Sequence, residues 1–117
     1  MKISEYVIKN IEHHVKGRVS TIDIRGKEVK VVFTYHCLDR LEFWKIDQFS
    51  LFKALIEPEE VLKGHGNRYI AHRRFDDHLI RAIYDYEDDL PIVITVYFPY
   101  TSRYFHGGKI YEDKIFS

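Results

Sequence analysis

At ~100–200 residues per domain, a chain of 117 residues holds one domain, and with it one site or partner surface. Hydrophobic residues at 45% and charged residues at 31% make an ordinary globular balance, which argues against a disordered tail and against a charge-driven polymer. Eighteen Lys and Arg offset eighteen Asp and Glu, so no overall field draws the chain onto nucleic acid or anionic lipid, and any such contact must be local. The longest apolar run, Ile92 to Val96, falls far short of the ~20 residues that span a bilayer. Met1 to Glu5 carries an acid and no apolar core of the signal-peptide kind, and Cys37, the single cysteine, excludes an internal disulfide and a thiolate-clustered metal site; both features point to the cytoplasm.

In chain order, Ile3, Val7, Ile11 and Val15 at i, i+4 spacing predict an amphipathic helix over residues 3–16, ended by Gly17. Period-two patterning from Arg18 to Thr34, broken at Arg25-Gly26-Lys27, predicts a β-hairpin. His36 to Lys45 returns to helical spacing with Cys37, Leu41 and Trp44 on one stripe and Leu38 beside it; a second short helix follows Asp47 as N-cap and buries Phe49, Phe52 and Ile56. Pro58-Glu59-Glu60 reads as a further helix start, stopped by Gly64. Three strands are expected at Arg68 to Phe75, His78 to Tyr86 and Ile92 to Phe98, joined by acidic turns as an antiparallel meander. After Gly107-Gly108 the tail reads as a last strand or an ordered extension. The fold class is therefore α+β, with helices packed on one antiparallel sheet.

Alternation puts His78, Ile80, Ala82, Tyr84 and Tyr86 on one face with Ile92, Ile94, Val96 and Phe98, the expected core. The other face then carries Arg81 and Asp85 beside Val93, Thr95 and Tyr97, and the preceding strand adds Arg68, His72 and Arg74. Arginine contacts phosphate and exposed rings stack on bases, so Arg68, His72, Arg74, Tyr97 and Tyr104 are the candidate RNA-binding residues. The competing reading pairs these arginines across strands with Asp76, Asp77, Asp85 and Glu87.

Arg103 to Lys114 is the densest polar-aromatic stretch, with groups suited to phosphodiester chemistry without a metal: Arg and Lys neutralise a pentacoordinate phosphate, and His or Tyr exchanges protons with a 2′-hydroxyl. Arg81, Arg103 and Lys109 are assigned to phosphate charge, and His106 or Tyr111 to proton transfer. A plain hairpin turn with a solvated edge strand is the alternative for this stretch. His36 and Arg40, at i, i+4 on the helix with Asp39 beside them, either flank a site or brace the helix. The seven histidines show no ligand spacing, so no metal and no cofactor is expected, and no phosphate-loop, hydrolase-elbow or dinucleotide signature is present.

The order of pieces, Phe33-Thr34-Tyr35, His36-x-x-x-Arg40, Ile56-Glu57-Pro58-Glu59-Glu60-Val61 and a closing Arg103-Tyr104-Phe105-His106-Gly107-Gly108-x-x-Tyr111-Glu112-Asp113-Lys114-Ile115, resembles an uncharacterised family similar to RelE, ParE and BrnT toxins. The resemblance covers about residues 29–117 and leaves residues 1–28 as an added helix and strand on a single RelE-like domain. It implies a toxin-antitoxin context, with a cognate antitoxin as partner, mRNA on the ribosome as substrate of a metal-independent endoribonuclease, no membrane partner and a homodimer among the allowed assemblies. By position the groups comparable to those of RelE-like nucleases are Arg74, Arg81, Arg103, Lys109 and Tyr111. ParE-like members act on a protein target instead, so a non-catalytic module that inhibits or scaffolds a cellular protein is the alternative.

Overall fold

The computed structural model describes residues 6–116, an α+β arrangement of seven strands and three helices whose sheet is antiparallel except for one pair. β1 (Tyr6–His14), β2 (Gly17–Ile24) and β3 (Lys27–Thr34) form a first meander, followed by α1 (Tyr35–Trp44) and α2 (Gln48–Ile56). β4 (Glu60–Lys63), β5 (Tyr69–Phe75), β6 (His78–Glu87) and β7 (Leu90–Tyr97) form a second, before α3 (Thr101–Tyr104). The sheet order is β1-β2-β3-β7-β6-β5-β4, so the meanders meet where β3 runs parallel to β7, Val32 opposite Ile92 and Phe33 opposite Val93. A parallel neighbour needs a long return connection, and both long helices lie in it.

The helices start where the sequence places them. The Thr34 hydroxyl accepts the Cys37 N–H at 3.0 Å and donates to the Ile94 carbonyl at 2.8 Å, capping α1 and tying it to β7. Asp47 caps α2, accepting the Phe49 N–H at 2.7 Å. α1 packs on β7 and β3 and α2 on β5 and β6; Phe52 stacks on Phe33 with ring centroids 5.4 Å apart. Burial pushes the Cys37 thiol up to about 12, an inert core residue. Phe49, expected in the core, is instead partly exposed and meets Phe52 edge-on.

Three expectations fail. The segment read as an N-terminal helix is β1; residues 3–5 of that reading lie outside the described residues. Its supposed buried stripe is the exposed one, Val7 at 54%, Ile11 at 49% and Val15 at 83%, while Tyr6 and Ile8 pair with Ile24 and Ile22 on the core side. β-branched side chains favour the extended backbone, and an even i, i+4 step fits a strand as well as a helix stripe; a bulge between Ile8 and Asn10 then puts Ile11, opposite Ser20, on a different face from Val7, opposite Asp23. Gly17 is a point of close approach rather than a helix stop, since a Cβ there would lie 2.0 Å from the Phe33 carbonyl oxygen.

The segment after Pro58 is likewise a strand. β4 pairs antiparallel with β5, and the Gly64 N–H bonds the Arg68 carbonyl at 2.8 Å to close the turn between them. Finally, a bulge between β6 and β7 sets Ile83 opposite Thr95 but Tyr84 opposite Val93. Val93 thereby joins Val96 in the core, while Ile92 faces the other way, opposite Asp85.

The tail after α3 covers the β4 edge. Lys109 N–H bonds the Glu59 carbonyl at 2.9 Å, Val61 N–H bonds Ile110 at 2.6 Å, and Glu112 N–H bonds Val61 at 2.9 Å, so residues 109–112 run parallel to β4. The Asp113 carboxylate then accepts the hydroxyls of Tyr84, at 2.8 Å, and Tyr86.

Candidate nucleic-acid interface

Three strand registers assemble one polar row. Glu60 on β4 lies opposite His72 on β5, His72 opposite Arg81 on β6, and Arg81 opposite Tyr97 on β7. Directly opposed residues share a face, so four side chains distant in sequence line up across the sheet. The adjacent row, Val61, Ala71, Ala82 and Val96, points to the core face.

One end of the row is closed. Glu60 and His72 are both fully buried, with His72 Nδ1 at 2.6 Å from Glu60 Oε2. Arg81 has only donors and lies 2.8 Å from His72 Nε2, which must therefore accept; the proton sits on Nδ1 and is donated to Glu60. The Glu60 carboxylate also accepts the backbone N–H groups of His106, at 3.0 Å, and Gly108, at 3.0 Å. Gly107 and Gly108 hold φ of 95° and 85°, the left-handed region that turns these N–H groups inward around an anion. Burial raises the Glu60 carboxyl, but the hydrogen bonds from His72, His106 and Gly108 outweigh it and hold the group below its usual range. Burial lowers His72, and the neighbouring Arg81 and His106 act the same way against Glu60, so the imidazole is neutral.

The other end is open. Arg81 leaves His72 toward a cleft of about 490 Å³ that Arg103, Tyr97, Tyr104, Trp44 and Phe98 help to line. The Tyr104 ring lies 4.2 Å from the Arg81 guanidinium carbon and 5.9 Å from that of Arg103. Tyr97 is 43% and Tyr104 40% exposed. Among the described residues no carboxylate lines the cleft, and neither Arg81 nor Arg103 has an ion-pair partner. The Trp44 indole N–H is buried and lacks an acceptor. Burial lowers the Arg81 pKa from its usual value, the desolvation of a guanidinium with no carboxylate beside it. Two guanidiniums without a carboxylate partner and an indole N–H without an acceptor, set among rings, suit an anion attached to a flat ring.

The structure thus brings together Arg81, Arg103, Tyr97 and Tyr104 of the expected residues. His72 is no RNA-facing group but the support of Arg81. Arg74 is paired, though not with any of the acids the cross-strand reading named: it binds Glu59, Nη2 to Oε2 at 2.7 Å, and lies 4.7 Å over the Phe105 ring. That guanidinium also holds the Glu59 carboxyl below its usual range. Arg68 is exposed in the turn ahead of β5. His106, Lys109 and Tyr111 follow β4 and do not line the cleft; Tyr111 lines another pocket, with Ile56, Glu57 and Lys114. His36 braces α1 to β7, its Nε2 3.0 Å from the Thr95 hydroxyl, and Arg40 binds Asp39 at 2.8 Å.

The sequence reading missed Trp44, taken as core, and Glu60, taken as a helix start. A signal for Glu60 was present: a hairpin centred on Gly66 sets it opposite His72.

Residues 33–98 match the family described as Domain of unknown function (DUF4258), more than half of the chain, and the protein belongs to that family. No curated protein and no solved structure matches it. The matched segment contains the whole Glu60–His72–Arg81–Tyr97 row together with Trp44, while Arg103 and Tyr104 lie beyond it.

Proposed function

We propose that the cleft binds the phosphodiester backbone of single-stranded RNA and that the protein is a metal-independent endoribonuclease of the toxin type it resembles, a RelE-like domain held in check by a cognate antitoxin. One observation carries this reading: two guanidiniums without carboxylate partners stand among exposed tyrosines in one cleft. Arg81, braced by His72, and Arg103 neutralise the phosphorane formed when a 2′-oxygen attacks phosphorus and the 5′-oxygen leaves. Tyr97 and Tyr104 present the hydroxyls in reach of that proton transfer, taking the role that the sequence gave to His106 and Tyr111.

The second reading is a module that grips a protein or RNA without cleaving it. It is favoured by the cleft lining, which among the described residues holds no imidazole and no carboxylate, the commonest proton carriers. Mapping mRNA 5′ ends after induction separates the two. New ends that disappear in the Arg81→Gln, Arg103→Gln double variant support the nuclease; an unchanged end profile on induction of the wild-type protein contradicts it.

A further inference from the structure

Phe98 lines a second, smaller pocket. This one, of about 110 Å³, lies at the α1–α2 junction, where Lys45, Ile46, Asp47 and Ser50 face Phe75 and Phe98. Lys45 ends α1 in the left-handed conformation, φ 56°, which turns the chain and sets Ile46 and Asp47 over the sheet. The Phe98 ring is fixed by its neighbours: it meets Phe75 edge to face with centroids 6.0 Å apart and stacks on His78 at 4.6 Å, and His78 meets Tyr100 at 4.5 Å. Phe75 nonetheless leaves 48% of its surface in water, an unfavourable exposure for a ring without a polar handle. Lys45 has no ion-pair partner among the described residues.

The pocket and the cleft adjoin at one ring. Phe98 belongs to both, and consecutive residues of α1 and its cap, Trp44 and Lys45, contribute one to each. Resting on the RNA reading of the cleft, we infer that the pocket takes the nucleobase adjoining the phosphate held by Arg81 and Arg103, so that the protein engages two consecutive nucleotides. Ring walls accept any base by its π face. An apolar side chain from a protein partner would fill the same walls but leave both guanidiniums without an anion.

The test uses the dinucleotide UpU, whose single phosphate fixes the register, with a 2′-O-methyl group on the first ribose to block cleavage. Binding of UpU and its two singly abasic derivatives is followed by NMR titration of the full chain. Phe75→Ala is expected to weaken UpU about tenfold and Phe75→Trp to restore it. One abasic derivative should bind the wild-type protein about tenfold more weakly than UpU and be indifferent to Phe75→Ala. Phe75 is half-exposed, so both variants should keep the fold, and their melting temperatures check this. If Phe75→Ala binds UpU as the wild type does while Arg103→Gln loses it, the pocket inference fails and the cleft reading stands. Equal weakening of UpU and both abasic forms by Phe75→Ala would also overturn the base contact. If UpU does not bind the wild-type protein, both fall.

Discussion

The two ends of the polar row meet the same physical demand in opposite ways. At Glu60 a buried carboxylate receives its donors from the protein itself, an imidazole and two backbone N–H groups of the Gly107-Gly108 loop. At Arg81 and Arg103 the donors face an open cleft and find no carboxylate among the described residues. A satisfied buried charge is an anchor for the fold, whereas a cationic pair without a carboxylate, beside exposed rings, is left facing solvent, and it is there that the proposed function puts RNA. His72 joins the two, because its orientation toward Glu60 is what aims its Nε2 at Arg81.

The largest effect is expected at the closed end. Glu60→Ala strands one fully buried donor, on His72, and two part-buried backbone N–H groups, at about 1–3 kcal/mol for a donor left unpaired away from water, so urea unfolding should show a loss of about 2 kcal/mol or more and release of the tail to protease. A loss under about 1 kcal/mol would mean that the loop is held by other contacts.

Acid should weaken the same end. Glu60 and His72 both titrate lower in the folded protein than their ordinary 4.5 and 6.5, so the unfolded chain binds more protons and stability rises with pH. The His72 contribution is complete above pH 6.5 and is lost as pH falls through its lowered value; the Glu60 contribution is complete above 4.5 and is lost below that. The urea midpoint should therefore fall steadily from pH 7 to pH 4, and His72→Gln should flatten the upper part of that fall. A midpoint that rises on acidification would show the signs to be wrong.

At the open end the effect moves from stability to binding. Arg103→Gln should weaken octauridylate about tenfold or more with little change in melting temperature, because its guanidinium braces no buried group. Arg81→Gln should weaken it at least as much and also lower stability by about 1–2 kcal/mol, since His72 Nε2 loses its donor. The smallest change is expected at Arg74, whose pair with Glu59 lies at the surface and is screened by solvent; Arg74→Gln should leave RNA affinity unaltered, measured by anisotropy beside Arg103→Gln.

What the sequence made legible follows from which signals are local. The capping residue Asp47, the turn at Arg25-Gly26 and the acidic turns around β6 act within a few residues, and the elements they bound are where periodicity puts them. Bulges are not local in this sense: one extra residue in β1 puts Val7 and Ile11 on different faces, and one between β6 and β7 changes the face of Val93. The site was half visible. Arg81 and Tyr97 stand opposite by simple alternation, and Arg103 with Tyr104 sits in the densest polar-aromatic stretch, but the glycines of that stretch serve an internal anion, Glu60, rather than a ligand. Trp44 was hidden because a tryptophan on a helix stripe reads as core until its neighbours across the cleft are known.

The central claim, that Arg81 and Arg103 wait for RNA phosphates, is tested most directly by the salt dependence of octauridylate binding. A single-stranded ligand releases counterions with a slope of about −0.7 per neutralised phosphate in log affinity against log salt, so two contacts predict about −1.4. Arg103→Gln and Arg81→Gln should each reduce the slope to about −0.7, and the double variant should abolish it. A slope that both variants leave unchanged, or no binding by the wild-type protein at low salt, would contradict the account.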